Sequence, residues 1–468
     1  MAILLAAATS GSGKTTVTLA LLAALRRRGL RIQPFKVGPD YIDPLFHTAV
    51  SGIPCRNLDP FLTDENFVQR CFRHHCQGKD GAIVEGVMGL FDGRAPASPP
   101  DPTSRTEPFF ASSAHVARLL GIPVVLVIDG SGMGMTVAAL LYGLSRFDPG
   151  LAIAGVIFNQ VASERHGQIL QQAAAAVGIP VLGQLPRRED LRLPSRHLGL
   201  VPVSELDHFP HWQEAWADLA EQHLNWDKLL PLIRTLPPAA GELWPGIPSL
   251  AERTPSRHRE RVRVGVAQDA AFNFYYADNL DLLRACGAEL LAYSPLQVGL
   301  WPPDPCDGLL LGGGFPELFA ATLSEKIARQ PPPPAHPPLY AECGGLMVLG
   351  RSLTDLQGKT YPMAGLLPIT VDMGSRLCLG YREATVLRPT LLVEAGDRLR
   401  GHEFHRFRST PTSPSPIYSW GSPPHREGWA GQRLHASYLH LHWGSRPDLA
   451  VRLLQNFLRI AQGAPDPA

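Results

Sequence analysis

A glycine-rich stretch near the start of the chain has the residue types and spacing that bind phosphate groups. It reads ATSGSGKTT (Ala8 to Thr16) and lies between an apolar run and an amphipathic segment. Backbone amides of such a loop surround a phosphate, Lys14 reaches the terminal phosphates, and the Thr15 hydroxyl suits Mg²⁺. Ala8 stands where the pattern has its first glycine, but the remaining register is kept. We predict that a nucleoside triphosphate, ATP, contacts the loop residues Ser10, Gly11, Ser12, Gly13, Lys14, Thr15 and Thr16.

Polar side chains follow the predicted strands of the same region. KVGPDYIDP puts Asp40 and Asp43 in a tight loop after one strand, and IVEGVMGLFDG puts Glu85 at the end of another. Because parallel strands end at the edge that carries the phosphate loop, these carboxylates can bind metal or orient a substrate. Glu85 is the best Mg²⁺ candidate. Asp129 and Asn159 end two further strands, and Asn159 is a candidate nucleotide contact.

A second stretch, YAECGGLMVLG (Tyr340 to Gly350), has the pattern of a reactive cysteine. An apolar strand precedes Cys343, two glycines follow it, and a helix is predicted next. This is the pattern of a nucleophile elbow, in which a strained turn exposes the reactive atom. We expect the N-terminus of the following helix to stabilise a thiolate. The stretch therefore predicts a cysteine nucleophile.

A cysteine nucleophile needs a base and an oxyanion hole. ASYLHLHWG supplies His440 and His442, which alternate along a strand-like segment, so only one of them can face the cysteine. LLLGGGFPE places a glycine turn at another strand end, and the amides of Gly313 and Gly314 are the oxyanion candidates. The sequence thus contains the parts of a thiol-based hydrolytic site.

Two α/β domains are needed to position these two sets of residues. Apolar runs alternate with helical stretches in the first half, and the alternation returns after a segment rich in Pro and charge. Such strands are typical of parallel sheets covered by helices on both faces. We predict a P-loop domain over residues 1–230, a linker over 231–261 and a flavodoxin-like domain over 262–460, each with a mainly parallel sheet. Three Pro-rich stretches are expected to form surface loops: Ala95 to Pro108, Pro331 to Pro338 and Ser409 to Pro424.

Composition narrows the range of partners and locations. The chain has 43 basic and 42 acidic residues and no long run of Lys or Arg, so neither a nucleic acid nor a membrane is expected as partner. Its 7 cysteines are scattered and lack metal-ligand spacing, which favours reduced thiols in a cytoplasm. The opening MAILLAAATSG has no basic residue and runs into the phosphate loop, so we interpret it as a buried strand rather than a signal peptide.

Cysteine elbow, upstream glycine turn and downstream histidine together resemble a class I glutamine amidotransferase domain. With a preceding P-loop domain similar to dethiobiotin synthetase, the architecture resembles the cobyrinic acid a,c-diamide synthases of corrin biosynthesis. Four stretches characteristic of that family occur in the expected order, PFKVGPDYIDPLFH, VEGVMGLFDG, AECGGLMVL and GHEFHRF. The resemblance covers residues 1 to 458, roughly the whole chain.

This resemblance implies a two-site mechanism with ATP, L-glutamine and cobyrinic acid as substrates and Mg²⁺ as cofactor. Cys343 would hydrolyse glutamine with His440 as base, and ammonia would pass inside the protein to the other domain. There ATP would phosphorylate the a and c carboxylates, and ammonia would displace phosphate to form two amides. Asp40, Asp43 and Glu85 would serve the ATP domain through Mg²⁺ or the substrate carboxylate. A homodimer is an assembly that the resemblance leaves open.

Several alternatives stay open at this point. Most class I glutaminases have a glutamate two positions after the catalytic histidine, where this chain has His442. The resemblance therefore implies a dyad without an orienting carboxylate, and His442 remains an alternative base to His440. Alternative acid substrates are hydrogenobyrinic acid and a nickel sirohydrochlorin. A P-loop regulatory ATPase with a glutaminase-like binding domain is a different class, but the second lysine frequent in such loops is absent from ATSGSGKTT.

Overall fold

The computed structural model describes most of the chain and divides it into two compact units. The units are Met1–Leu243 and Trp244–Ala468. Residues of three predicted segments lie outside the described part: all of Ala95 to Pro108, much of the linker and half of Pro331 to Pro338. The described residues are 2–94, 109–191, 193–196, 199–201, 203–206, 208–234, 241–247, 261–330, 333 and 336–463.

A seven-stranded parallel sheet forms the centre of the first unit, with strand order β3-β2-β4-β1-β5-β6-β7. All residues of β1 are buried, as expected for a strand covered on both faces. The carboxyl ends of β1, β2, β4 and β6 carry the predicted site residues. The strands are β1 (Ile3–Ala7), β2 (Ile32–Val37), β3 (Arg56–Leu58), β4 (Gly81–Glu85), β5 (Val124–Asp129), β6 (Ile153–Val161) and β7 (Val181–Pro186), followed by the small pair β8 (Ser195–Arg196) and β9 (Gly199–Leu200).

Helices follow most of these strands, and several begin at a residue suited to capping. The side chains of Asp64, Ser112 and Ser163 each accept a backbone N–H of the helix that follows them. Such caps satisfy amides that have no partner within the helix. The helices are α1 (Lys14–Arg27), α2 (Ile42–Ser51), α3 (Glu65–Cys76), α4 (Ser113–Leu120), α5 (Val137–Arg146), α6 (Glu164–Ala176), α7 (Phe209–His223) and α8 (Trp226–Arg234), with short 3₁₀ helices at Glu189–Leu191 and Val203–Glu205.

The second unit contains a six-stranded sheet in the order β11-β10-β12-β13-β21-β20. Its first five strands are parallel and β20 is antiparallel. Neighbouring residues of β12 and β13 alternate between two cores: Leu310 and Tyr340 lie in one, and Leu311 and Ala341 in the other. The strands are β10 (Val262–Ala267), β11 (Ala288–Tyr293), β12 (Gly308–Leu311), β13 (Leu339–Glu342), β20 (Trp429–Gly431) and β21 (Leu434–Ser437).

A further, largely antiparallel sheet in this unit was not predicted. Its main order is β15-β14-β16-β17-β22, and β18 and β19 extend it. The Pro-rich stretch Ser409 to Pro424 contains β18, and both Ile417 and Tyr418 are fully buried there. The prediction of a surface loop is therefore wrong for this part, because apolar residues between the prolines pack into the core. The strands are β14 (Ser352–Thr354), β15 (Thr360–Pro362), β16 (Thr370–Val386), β17 (Arg398–Thr410), β18 (Tyr418–Trp420), β19 (His425–Glu427) and β22 (His440–Leu441).

Helices on the second unit frame the predicted elbow and close the chain. The segment after the glycine turn forms a 3₁₀ turn, Pro316–Phe319, and then a helix. The helices are α9 (Ala277–Ala285), α10 (Pro295–Val298), α11 (Ala320–Arg329), α12 (Gly344–Leu349) and α13 (Pro447–Ala461). Among the described residues, no helix combines the length and hydropathy needed to cross a membrane.

Candidate active site

The glycine-rich loop joins β1 to α1 and is tied to a neighbouring strand end. Gly11 and Gly13 have φ of 79° and 89°, a region in which a side chain would be strained. Asn159, near the end of β6, donates from Nδ2 to the Ser12 carbonyl at 3.2 Å. A Cβ on Gly13 would lie 2.0 Å from that Nδ2. Glycine therefore permits the close approach of Asn159 to the loop.

Other loop residues differ in their exposure. Ser10 and Gly11 are exposed at the tip, whereas Thr16 is half-buried in the first turn of α1. Ser12 is buried, and its hydroxyl donates to the Thr9 carbonyl at 3.0 Å. The loop is thus anchored on its inner side while its tip is open to solvent, which is where a phosphate group can reach it.

Lys14 is the first residue of α1 and lies largely buried beside the loop. Its ammonium donates to the carbonyls of Met88 at 2.5 Å and Thr9 at 3.3 Å. Burial and the nearby Lys36 lower the pKa of Lys14 to about 8. A bound polyphosphate would supply the negative charge that stabilises the ammonium form.

Thr15, Asp43 and Glu85 converge at the strand ends below the loop. The Thr15 hydroxyl donates to Glu85 Oε1 at 2.8 Å and to Asp43 Oδ2 at 3.3 Å. Lys36 Nζ lies 2.5 Å from Asp43 Oδ2 and 2.8 Å from Glu85 Oε1. His47 Nε2 lies 2.7 Å from Glu85 Oε2. Three oxygen-bearing side chains and two basic groups thus form one buried cluster.

Charge balance explains how the carboxylates of this cluster tolerate burial. Burial favours the neutral form of Glu85, but Lys36 and His47 outweigh it and hold the pKa of Glu85 well below its usual range. Burial opposes the charge on Lys36 as well, but Asp43 and Glu85 raise its pKa well above the ordinary value. Burial and the neighbouring Asp40 carboxylate raise the pKa of Asp43. Of the two carboxylates, Asp43 therefore takes a proton more readily than Glu85.

Asp40 and Asp129 make local contacts at their strand ends. Asp40 Oδ1 accepts the backbone N–H groups of Ile42 at 2.8 Å and Asp43 at 3.1 Å, which caps the start of α2. Its other oxygen faces Lys36 Nζ at 3.8 Å. Asp129 accepts the Ser131 amide at 2.8 Å and shapes the turn after β5. One oxygen of Asp40 thus belongs to the cluster edge, whereas Asp129 acts within its own turn.

The donors in this cluster fit a hard divalent cation. The Thr15 hydroxyl and the facing oxygens of Asp43 and Glu85 are the ligand types that Mg²⁺ prefers, next to a phosphate loop. The Lys36 ammonium lies against the same carboxylate oxygens. These residues therefore suit Mg²⁺, with Lys36 as an adjacent positive charge.

Cys343 of the second unit lies at a sharp turn between β13 and α12. Its φ and ψ are 47° and −101°, a strained combination for a residue with a side chain. A Cβ on Gly345 would lie 2.1 Å from the Leu311 carbonyl oxygen, and one on Gly344 would lie 3.0 Å from Pro316. The two glycines therefore allow the turn to pack against the end of β12, as a nucleophile elbow requires.

The Cys343 thiol is buried and protonated in this environment. Its amide donates to the Ser437 carbonyl at 2.8 Å, and Sγ lies 4.0 Å from the Phe404 carbonyl. Burial, together with the Glu317 and Glu342 carboxylates, raises the pKa of the Cys343 thiol. The prediction of a thiolate stabilised by the helix N-terminus is wrong, because burial and nearby negative charge outweigh the α12 amides. Ionisation of Cys343 thus requires a base.

The glycine turn after β12 reaches both the elbow and a histidine. The amide nitrogen of Gly314 lies 3.2 Å from the position of a Cβ on Gly344. A Cβ on Gly313 would lie 2.7 Å from Cε1 of His440. The structure therefore brings Gly313, Gly314 and His440 together with the elbow.

His440 and His442 contact different carboxylates, as their alternation predicts. His440 is fully buried, and its Nδ1 lies 3.4 Å from Glu342 Oε2. His442 Nε2 lies 3.6 Å from Asp278 Oδ2. Of the two, His440 is the one adjacent to the glycine turn at Gly313.

The GHEFHRF stretch runs along β17 beside this site. His402 pairs with His440 across the β17 and β22 ladder, and the carbonyl of Phe404 faces Cys343. Burial and the neighbouring His440 lower the pKa of His402 to about 3, so His402 is neutral at physiological pH. The Arg382 guanidinium donates to Glu403 at 2.6 Å. The stretch therefore forms a wall of the cysteine site.

Sequence reasoning did not single out Lys36, His47 or Glu342. Lys36 is the second-to-last residue of β2 and begins the quoted KVGPDYIDP, and His47 lies one turn of α2 after Asp43. Glu342 directly precedes the nucleophile, on a strand whose four residues are all buried. A charged residue in an otherwise apolar buried strand is the available signal, because burying a charge requires partners.

Comparisons with known proteins find similarity in both units of the chain. The family described as CobQ/CobB/MinD/ParA nucleotide binding domain matches residues 3–201, and the CobB/CobQ-like glutamine amidotransferase domain matches residues 263–448. A cobyrinate a,c-diamide synthase of Gloeobacter violaceus is 52% identical over 100% of both chains. One from Synechococcus is 46% identical over 99% of both. A hydrogenobyrinate a,c-diamide synthase of Streptomyces coelicolor is 41% identical over 97% of this chain and 96% of its own.

Fold, sites and matching domains define a two-domain, nucleotide-binding glutamine amidotransferase. The phosphate loop belongs to one unit and the cysteine elbow to the other. The chain belongs to the cobyrinate a,c-diamide synthase family.

Proposed function

We propose that this chain uses ATP and glutamine to amidate the a and c carboxylates of cobyrinic acid in cobalamin biosynthesis. The carrying observation is that the strained elbow at Cys343 packs against the glycine turn of Gly313 and Gly314, which also meets His440, in a chain that has a phosphate loop as well. The synthase names of full-length relatives support the enzyme over a regulatory ATPase. We place the reaction in the cytoplasm, where thiols stay reduced.

Glutamine hydrolysis occurs in the second unit. His440 takes the thiol proton of Cys343, and sulfur attacks the glutamine side-chain carbonyl. The amides of Gly313 and Gly314 stabilise the negative charge that develops on the carbonyl oxygen. Protonated His440 then gives the proton to the departing ammonia, and water hydrolyses the thioester to release glutamate. Because the thiol pKa is raised, the cysteine stays neutral until a substrate and its base are aligned.

Amide formation occurs in the first unit. A substrate carboxylate attacks the γ-phosphate of ATP, giving an acyl phosphate and ADP, and ammonia then displaces phosphate to form the amide. Lys14 and the loop amides stabilise charge on the transferring phosphoryl group. Thr15, Asp43 and Glu85 would hold Mg²⁺, whose charge would offset that of the phosphates. Asp40, with one oxygen at the edge of the cluster, orients the acid substrate.

Coupling of the two reactions follows from the chemistry of ammonia. In water near neutral pH ammonia is mostly protonated and unreactive as a nucleophile, so its delivery inside the protein keeps it reactive. Two amidations consume two ATP and two glutamine molecules and release two ADP, two phosphates and two glutamates.

Hydrogenobyrinic acid is the second candidate substrate. The relative from Streptomyces coelicolor, named for that substrate, is 41% identical, whereas cobyrinate enzymes reach 52%. This difference favours cobyrinic acid.

The test offers cobyrinic acid, hydrogenobyrinic acid and nickel sirohydrochlorin separately, with ATP, MgCl₂ and glutamine, and measures product masses. We expect the mass change of two carboxyl-to-amide conversions with cobyrinic acid. Unchanged masses for all three acids, in a folded protein, would contradict the proposed function.

A further inference from the structure

The carboxylate of Glu342 lies against His440 from an unexpected place in the chain. Glu342 ends β13, directly before Cys343, and its Oε2 lies 3.4 Å from His440 Nδ1. Both side chains are buried, Glu342 at 7% and His440 at 0% exposure. In class I glutaminases the corresponding carboxylate usually follows the histidine by two residues. Here that position is His442.

Hydrogen bonds on its other oxygen fix the orientation of the Glu342 carboxylate. Oε1 accepts the Tyr340 hydroxyl at 2.5 Å and the Leu441 amide at 3.2 Å. Tyr340 and Glu342 are two residues apart on β13, so both project from the same face of the strand. These two donors satisfy Oε1, and Oε2 faces the imidazole of His440. A buried carboxylate held by two donors is positioned to act on a neighbouring group.

The alternative pair, His442 and Asp278, is arranged differently. The Gly444 amide donates to His442 Nδ1 at 3.1 Å, and His442 Nε2 faces Asp278 at 3.6 Å. Nδ1 of His442 accepts a hydrogen bond and its Nε2 is directed at the Asp278 carboxylate. Neither ring nitrogen is therefore left to take a proton from a thiol. His442 thus ties the chain after β22 in place.

We propose that Glu342 is the positioning residue for His440 and completes a triad with Cys343. The inference deepens the proposed function and rests on Cys343 and His440 acting as nucleophile and base. A proton on Nδ1, which lies 3.4 Å from Oε2, would face the carboxylate, and this would fix the imidazole tautomer and leave Nε2 as the basic nitrogen. When His440 takes the thiol proton, the carboxylate stabilises the imidazolium. The nucleophile and its orienting carboxylate are thus consecutive residues of one elbow.

Glu342→Gln tests this role because it keeps the shape of the side chain and removes its charge. We expect glutaminase kcat to fall about 100-fold with a nearly unchanged KM, within the range that positioned proton transfer contributes. Without the negative charge of Glu342, the His440 imidazole takes up a proton less readily. The acidic limb of the kcat/KM profile should therefore move to lower pH. Glu342→Asp keeps the charge and should retain more activity than Glu342→Gln.

Two controls make the outcomes distinguishable. Asp278→Asn removes the carboxylate beside His442 and should leave the pH profile in place. Ammonium-dependent amidation, measured on the same preparations, should be unchanged in Glu342→Gln. Thermal unfolding monitors the fold, and Glu342→Asp serves as the test variant if Glu342→Gln does not fold.

Two results would overturn the positioning role. One is an unaltered kcat and pH profile in both Glu342 variants, and the other is a profile shift in Asp278→Asn alone. Failure of the native protein to amidate with ammonium would instead count against the proposed function, independently of Glu342.

Discussion

Removal of the buried ammonium of Lys36 should destabilise the nucleotide-binding unit. Lys36 is 3% exposed, and its Nζ lies 2.5 Å from Asp43 and 2.8 Å from Glu85. Lys36→Met leaves these carboxylates without their nearest cation. Breaking a buried ion pair on one side costs about 3–5 kcal/mol. For a domain of this size, each kcal/mol lowers Tm by roughly 2–4 °C, so we expect a decrease of roughly 6–20 °C.

The stability difference between Lys36→Met and the native protein should also depend on pH and on Mg²⁺. Without Lys36 the folded-state pKa of Asp43 rises further above its unfolded value, and the pKa of Glu85 loses the nearest cation that holds it low. A raised folded-state pKa contributes stability at low pH that is lost as pH rises. The gap between Lys36→Met and the native protein should therefore widen from pH 5 to pH 8, about the range in which the carboxylates ionise. MgCl₂ should narrow the gap, because a cation in the cluster offsets the lost charge.

Thermal unfolding of the full chain measures the effect, and the transition that ATP shifts identifies the nucleotide-binding unit. Lys228→Met, which removes an exposed lysine from α8 of the same unit, is the matched control and should leave Tm unchanged. A Lys36→Met protein that unfolds within about 2 °C of native at pH 8, less than 1 kcal/mol, would refute the reasoning.

Two further predictions follow from the geometry. Because the pKa of Lys14 is lowered to about 8 and phosphate binds the ammonium form, ATP binding above pH 8 should take up a proton and weaken as pH rises. Titration calorimetry in two buffers of different ionisation enthalpy measures the uptake; equal uptake by Lys14→Ala would contradict it. Gly345→Ala places a Cβ 2.1 Å from the Leu311 carbonyl and should abolish glutaminase activity, whereas Gly431→Ala meets nothing nearer than 3.4 Å and should not. Normal glutaminase activity in Gly345→Ala would show that the elbow tolerates a side chain.

The parts of the sites that lie close together in the chain were the most predictable. The phosphate loop depends on a short stretch between β1 and α1, and its register is visible in ATSGSGKTT. Asp43 and Glu85 lie beside the first turn of α1, where we expected them because parallel strands end at one edge of the sheet. The elbow at Cys343 has a comparable local pattern.

Residues whose role depends on distant pairing were not predictable in this way. Glu342 accepts from Leu441, 99 residues further along the chain, and no local periodicity encodes that contact. Lys36 is a single charged residue in a strand, and its role becomes visible only when the fold brings Asp43 and Glu85 to its ammonium group.

Local reasoning also misjudged electrostatics and topology. The predicted thiolate at Cys343 depended on the helix that follows it in sequence, whereas burial and the carboxylates of Glu317 and Glu342 raise the pKa of the thiol. The antiparallel sheet was not predicted. Its long strands, β16 and β17, pair with a register shift between Met373 and Cys378, which interrupts the regular alternation of residues along the strands.

The most direct test of the central claim is amide synthesis by Cys343→Ser with two nitrogen sources. The claim is that glutamine is hydrolysed at Cys343 and that the carboxylate is activated at the separate phosphate-loop site. Product masses from cobyrinic acid, ATP and MgCl₂ are measured with glutamine and then with an ammonium salt. We predict no amide from glutamine and native-like amide formation from ammonium. Amide formation from glutamine, or loss of synthesis from both sources in a folded protein that still binds ATP, would contradict the account.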